Sequence, residues 1–191
     1  MRTRSAILLA LSALTLAACS SISVESQARL PQPTPTLSRT LVVVALPAAA
    51  RRAAEDTLVA RLASLHPVAS YPTVALAGDV TLGALRERAR KDGFSGLLVV
   101  WPDGMTEKIY PGLGGDTPPF GVNASTQITV RLVASLTVLD GDREVWKGHV
   151  TDHEVHAVDR EAPKMMTVLA ARLRTDGVAG VSASSGGRSS P

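Results

Sequence analysis

The spacing of apolar positions changes several times along the chain, and each spacing predicts a different element. Residues 40–46 read TLVVVAL, a short run rich in β-branched side chains that is typical of a strand covered on both faces. After Pro47 the pattern has a helical period and predicts a helix of about 18 residues. Its apolar stripe consists of Ala54, Leu58, Leu62 and Leu65. The charged residues on this helix are expected to face water: Arg51, Arg52, Glu55 and Arg61.

A second strand and a second helix come next. The stretch HPVASYPTVAL, residues 66–76, favours a strand, but Pro67 and Pro72 each lack a backbone donor, so we place it at a sheet edge. Asp79 or Thr81 is expected to cap the next helix, and Gly93 to end it. Its apolar stripe is Leu82, Leu85 and Ala89, and a buried strand, GLLVVW, follows at 96–101.

The last third of the chain predicts a β-hairpin and a helix. Apolar side chains of one parity dominate the stretch before a DGD turn at 140–142: Ile128, Val130, Leu132, Ala134, Leu136 and Val138. Pro163 is expected to open the last helix, which has the stripe Met166, Leu169, Ala170 and Leu173 and ends near Gly177. The order of elements predicts an α/β (α+β) fold, a mixed sheet with a late antiparallel hairpin and about three helices packed on it.

The N-terminus has the layout of a secretory signal peptide. Arg2 and Arg4 precede an apolar stretch over 6–16, and small residues lead to Cys19. The sequence LAAC at 16–19 resembles the lipobox of bacterial lipoproteins. That resemblance implies a signal peptide over 1–18, cleavage before Cys19 and lipidation of its thiol. It also implies outer-membrane sorting, because Ser20 replaces the aspartate that retains such proteins in the inner membrane. The alternative is a buried core thiol at Cys19.

The remaining organisation is a single domain between two tails. Residues 19–39, with Pro31, Pro33 and Pro35, are expected to form a lipidated N-terminus and tether, or alternatively a surface loop packed on the domain. A single α/β domain is expected over 40–180, and a disordered tail over 181–191.

Charge and cysteine content exclude several classes of function. The chain has 20 Lys and Arg against 17 Asp and Glu, and loss of Arg2 and Arg4 leaves 18 against 17, without a basic run for nucleic acid. One cysteine forms no intramolecular disulfide, so an exported domain must rely on its core. No G-x-S-x-G, H-E-x-x-H or Walker sequence is present, so we expect neither an enzyme nor a cofactor.

Histidines are concentrated in HVTDHEVH, residues 149–156. In a strand, alternation places His149 and His153 on one face and His156 on the other. His149 and His153 could then bind zinc or copper with a ligand from elsewhere. The alternative is the polar face of an exposed strand.

Residues 101–125 are too long for an ordinary connection. They carry Trp101, Tyr110 and Phe120, three of the six aromatic residues of the chain. Aromatic side chains on a loop rich in Gly and Pro suit partner binding. The alternative is that the rings fold back over the sheet as a cover. Within this stretch, TEKIY at 106–110 could form a short strand.

The domain also resembles the α/β domains of outer-membrane lipoproteins, such as the curli-secretion and penicillin-binding-protein-activator families. The similar segments are LRERARKDGFSGLLVV at 85–100 and LTVLDGDREVWKG at 136–148. We therefore expect a non-enzymatic outer-membrane lipoprotein, anchored through Cys19, whose periplasmic domain binds an envelope protein or self-assembles. The alternative is a metal- or ligand-binding lipoprotein that uses the 149–156 strand.

Overall fold

The computed structural model describes residues 21–28, 37–75, 80–110 and 125–178. Six strands form one mixed sheet: β1 (Ile22–Ala28), β2 (Thr40–Val44), β3 (Pro67–Ala69), β4 (Gly96–Tyr110), β5 (Ser125–Val138) and β6 (Arg143–Asp152). Their order across the sheet is β1, β6, β5, β4, β2, β3. Three helices pack on it: α1 (Ala48–Arg61), α2 (Leu82–Lys91) and α3 (Val158–Thr175). The α/β class with a mixed sheet and a late hairpin is therefore confirmed.

The first part of the sheet is parallel. β2 runs parallel to both β3 and β4, and all five of its residues are buried, as its apolar run predicted. β3 is three residues long and lies at the sheet edge, where Pro67 needs no ladder donor. In the connection from β2 to β3, α1 begins after Pro47 and ends at Arg61. A short 3₁₀ turn at Ala63–Leu65 follows it.

The stripe predicted for α1 is buried in full, but its polar side is not as predicted. Arg51 and Glu55, both expected to face water, are 8% and 0% exposed. The helix packs between the sheet and α3, so it buries the row that contains these two residues as well as the apolar stripe. Arg52 and Arg61 are exposed, as expected.

In α2, Thr81 is the cap, and its hydroxyl accepts from the backbone nitrogen of Ala84. Asp79, the other candidate cap, lies outside the described residues. Leu85 and Ala89 are buried, but Leu82 is 36% exposed, because it stands in the first turn. The helix is followed by Gly93, whose positive φ of 77° reverses the chain toward β4.

The hairpin of β5 and β6 is confirmed. The apolar side chains of β5 with one parity all face the main core. Gly141, with φ of 75°, makes the reversal, and a register shift between Leu136 and Thr137 bulges the start of β6. As a result, Val145 and Trp146 are both buried although they are adjacent in sequence.

The helix α3 begins five residues before the predicted position. Pro163 lies inside the helix instead of opening it, and the helix starts at Val158. Asp159 and Glu161 in the first turn complement the helix dipole. The predicted stripe of Met166, Leu169, Ala170 and Leu173 is fully buried.

β1 corrects the prediction for the N-terminal region. Residues 22–28, expected within a tether or loop, form a strand that pairs antiparallel with β6 along its whole length. Ile22 and Val24 pack against the main core, and their spacing of two residues is the sequence signal for this strand. Residues 29–36, with the three prolines, lie outside the described residues.

Hydrophobic side chains form two groups, one on each face of the sheet. The larger lies between the sheet, α1 and α3, and the smaller lies between α2 and one face of β2 and β4. The second face of β1, β6 and β5 carries no helix in the described part of the chain. None of the described helices is long and apolar enough to cross a membrane.

Candidate functional site

The feature that stands apart from the compact sheet is the far half of β4 and β5. Residues 101–110, predicted as the first part of a long loop with a possible short strand at 106–110, continue β4 as one strand paired with β5. The sequence Pro102-Asp103-Gly104 usually marks a turn. Here β5 offers a continuous partner, and the chain passes this point as a bulge between Pro102 and Gly104, where φ of Gly104 is 150°. The rest of the predicted loop, 111–124, lies outside the described residues.

The paired strands β4 and β5 extend beyond the ends of β2 and β6. The last residue of β2 that pairs with β4 is Val44, opposite Val100, so the outer edge of β4 from 101 to 110 has no strand partner among the described residues. On the other side, β6 ends opposite Val130. We call residues 106–110 and 125–129, five residue pairs beyond that point, the β4–β5 arm.

At the base of the arm, Met105 pairs with Val130 and is 71% exposed, the highest value among large exposed hydrophobic side chains in the described regions. The arm backbone is supported on its β6 side by a bond from the Val155 nitrogen to the Ile128 carbonyl. Glu107 and Lys108 are exposed and cancel in charge. The arm thus offers an exposed methionine at its base, little net charge and a β4 edge that pairs with no strand in the described part of the chain.

Of the three aromatic residues predicted to bind a partner, the structure describes the side chain of Trp101 alone. Trp101 is half-buried and packs against the smaller hydrophobic group, which fits the alternative of a ring covering the sheet. Tyr110 ends β4, and its side chain is outside the description. Phe120 and the predicted lipidation site Cys19 also lie outside the described residues.

The histidine prediction is corrected by the end of β6 at Asp152. His149 lies in the strand, but His153 lies in the bend after it, so alternation does not place the two on one face. His149 Nδ1 instead lies 3.5 Å from Asp103 Oδ2, across β5. No group of three or more His, Cys, Asp or Glu in the described ranges could hold a metal ion.

A buried polar cluster that the sequence did not predict joins the ends of β2 and β3 to α1. The Glu55 carboxylate accepts from the backbone nitrogens of Val44, Ser70 and Tyr71, at 2.6–3.0 Å. It also accepts from Arg51 Nε at 2.9 Å. Both carboxylate oxygens are therefore occupied, which makes this cluster a support for the loops. The sequence contains one signal for this burial: Arg51 and Glu55 lie on the same face of α1 as Leu58 and Leu62.

A second polar cluster fastens β1 to the end of α3. Asp176 Oδ2 accepts from Ser26 Oγ at 2.5 Å and from Trp146 Nε1 at 2.8 Å. Arg172 Nε lies 3.0 Å from Asp176 Oδ1 and donates to Ser26 Oγ at 2.7 Å. Burial raises the pKa of Asp176, but the bonds from Ser26 and Trp146 and the Arg172 charge outweigh it, and the net pKa is lowered.

The indole of Trp146 reaches this carboxylate by lying over Gly148. A Cβ at Gly148 would collide with the ring, 2.9 Å from its Cζ2, and would lie 3.1 Å from the Glu25 carbonyl of β1. The glycine therefore makes room for the ring and for the close approach of β1. Position and direction of β1 depend on these contacts.

The solved structures to which the chain is similar include two of PelC, both at low identity. A PelC dodecamer from Paraburkholderia phytofirmans matches with a TM-score of 0.46 and 16% identity, over 78% of this chain and 95% of that one. A second PelC dodecamer structure from the same organism matches with a TM-score of 0.46 and 14% identity, over 78% and 96%. No protein-family model and no curated protein matches the chain. These likenesses do not assign the chain to a family.

Proposed function

We propose that the chain is a non-enzymatic lipoprotein of the outer membrane whose periplasmic domain binds an envelope protein or further copies of itself. The anchor rests on the lipobox, LAAC at 16–19, and the sorting on Ser20. The binding role rests on one observation above others: the outer edge of β4 from 101 to 110, which has no strand partner among the described residues.

An unpaired strand edge is a site for strand addition, because its backbone donors and acceptors are available to a second chain. Proteins usually protect such edges with short strands, charges or a covering element. Among the described residues, Pro102 and the bulge at Gly104 interrupt the edge near its beginning, and the charged side chains of Glu107 and Lys108 lie further along it. The residues after Gly104 pair with β5 on one side and with no other described strand, and this stretch is where we place the partner.

Two substitutions test the anchor separately. Cys19→Ser should abolish lipid attachment and release the chain from membranes. Ser20→Asp should keep the lipid but move the chain to the inner membrane. Metabolic labelling with palmitate and separation of the two membranes measure both effects. An unlabelled wild-type chain, or a Cys19→Ser variant that remains membrane-bound, would contradict the anchor.

Photo-crosslinking in cells tests the binding role. A photoreactive amino acid at Lys108, on the arm, should yield one or two specific adducts. The same residue at Arg143, exposed at the opposite end of the sheet, serves as the control. The mass of the adduct distinguishes an envelope protein from a second copy of the chain. Adducts that are equal at both positions, or absent from Lys108, would argue against the β4 edge.

A further inference from the structure

We infer that β4 of one copy of the chain adds to the outer edge of β1 of a second copy, so that copies join head to tail. The inference rests on the proposed binding role of the β4 edge and names its partner. Among the strands that the structure describes, β1 ends the strand order and pairs with β6 alone. Its outer edge is therefore a second place at which a strand can be added.

The two edges have matching directions. β1 is antiparallel to β6, β6 to β5, and β5 to β4, so β1 and β4 of one chain run in opposite directions. A second copy in the same orientation therefore presents its β4 antiparallel to β1. Copies joined in this way all direct the chain before β1 to the same side, which is compatible with anchors in one membrane.

Alternate residues of β1 direct their backbone groups outward. In an antiparallel ladder a residue directs its N–H and C=O to one neighbouring strand, and the next residue directs them to the other side. The Ser21 carbonyl accepts from the His153 nitrogen, so Ser21 faces β6. The outward-facing residues of β1 are therefore the even-numbered ones, and they include Val24, Ser26 and Ala28.

The same alternation applies to β4 after its bulge. The Ile128 carbonyl accepts from the Val155 nitrogen, on the side of β5 away from β4. Its partner Glu107 therefore directs its backbone groups to the outer edge, and so do Met105 and Ile109. The two edges thus offer three residues each, with the same spacing, for an antiparallel ladder.

Charge complementarity selects one register for this ladder. Pairing of Ser26 with Glu107 brings Glu25 opposite Lys108, on the face where β1 carries no described helix. Glu25 and Lys108 are both exposed and have opposite charges. Opposite charges directly across two strands stabilise the pairing, and like charges weaken it. A shift of two residues in either direction puts uncharged residues opposite both Glu25 and Lys108.

Arg172 supplies a second charge contact, on the helix face of β1. Its Nε donates to Ser26 Oγ at 2.7 Å and also binds Asp176. The side chain is 41% exposed, and its two terminal nitrogens have no partner in the described regions. Glu107, opposite Ser26 in this register, brings a carboxylate to this position. The two adjacent charges of β4 thus meet opposite charges on the two faces of β1.

The same register covers Met105. This side chain is 71% exposed, and it comes to lie opposite Ala28, so the ladder removes apolar surface from water. An open groove along the β1 edge leaves room for the added strand. Pro102 and the bulge at Gly104 precede the ladder and do not interrupt it.

Disulfide formation between two copies tests the pairing. The full-length Glu25→Cys chain is mixed with the Lys108→Cys chain in detergent, and a mild oxidant is added. We expect a mixed dimer to form several-fold faster than when Gln27→Cys replaces Glu25→Cys, because directly opposed Cβ atoms lie closest. Each variant alone, and Arg143→Cys with Lys108→Cys, are further controls.

Exchange of the charges tests the register. Glu25→Lys or Lys108→Glu alone creates a like-charge pair and should weaken self-association several-fold in sedimentation velocity. The double variant, or a mixture of the two single variants, restores opposite charges and should recover the wild-type value. Arg61→Glu, exposed on α1, is the control. A head-to-tail contact leaves one edge open at each end, so wild-type species larger than a dimer are expected.

Two results would overturn the inference: mixed disulfides no faster than with Gln27→Cys, or a double charge variant as weak as the single ones. If photo-crosslinking at Lys108 then still yields an envelope protein, the binding role of the β4 edge stands and self-pairing alone fails. If Lys108 yields no specific adduct, the proposed binding role fails together with this inference.

Discussion

Ser26 donates a hydrogen bond of 2.5 Å to Asp176, 150 residues further along the chain. The contact joins the first strand of the sheet to the end of its last helix. Arg172 and Trp146 bind the same carboxylate, so three elements meet at one side chain. The N-terminal strand is thereby a part of the domain and is held in a defined direction.

Removal of this contact should destabilise the domain. Ser26→Ala is expected to lower the free energy of unfolding by about 1 kcal/mol, and Asp176→Ala by about 1 to 3 kcal/mol, because Trp146 Nε1 then loses its acceptor. The double variant should cost less than the sum, with a coupling of about 0.5 kcal/mol or more. Urea denaturation measures each value. Ser23→Ala, exposed on the same strand, is the control, and an equal loss there would contradict the assignment.

The pKa of Asp176 also predicts how stability depends on pH. Its folded-state pKa lies below the value in the unfolded chain, about 3.9, so the unfolded state binds more protons in this range. The contribution is complete above pH 4 and is lost as the pH falls through the folded-state pKa. The stability difference between wild type and Asp176→Asn should therefore be constant from pH 6 to 8 and shrink below pH 4. A difference that persists unchanged at pH 2.5 would contradict this.

Glu55 should be among the most sensitive positions. Glu55→Ala leaves Arg51 buried without its charge partner and removes the acceptor of three backbone nitrogens, so we expect a loss of about 3 to 5 kcal/mol. Arg61→Ala, exposed on the same helix, should change stability by less than about 0.5 kcal/mol.

A double variant separates the two parts of this effect. Some buried ion pairs can be replaced by apolar residues without loss. Here Arg51→Met with Glu55→Met should remain destabilised, because the nitrogens of Val44, Ser70 and Tyr71 stay without an acceptor. Thermal unfolding followed by circular dichroism is sufficient, and full recovery in the double variant would show that the pair alone carries the effect.

Two glycine substitutions should act in opposite directions. Gly148→Ala forces the Trp146 ring to move and should cost about 1 to 3 kcal/mol. Gly83→Ala adds a Cβ within α2, 3.9 Å from the nearest side-chain atom, and should stabilise by about 0.4 to 1 kcal/mol. Quenching of tryptophan fluorescence by acrylamide should increase only for Gly148→Ala. Equal stability of both variants would contradict the role of Gly148.

The sequence predicted those elements whose apolar pattern is continuous. The stripes of α1 and α3 and the alternation of β5 were read correctly, since each faces one large hydrophobic group. A short strand at 106–110 was predicted as possible, but its continuity with 96–101 was not, because Pro102 and Gly104 resemble a turn when the partner strand is unknown. The burial of Arg51 and Glu55 was not predicted for a related reason. It depends on backbone nitrogens from β2 and from the segment after β3, and no local sequence pattern contains these partners.

The pairing of β1 has a consequence for the order of events during synthesis. Its partners are residues 146–152, so this ladder cannot form until most of the chain has emerged. A contact between such distant segments forms late, because a long loop must close first. β1 therefore remains unpaired until residues 146–152 have been synthesised.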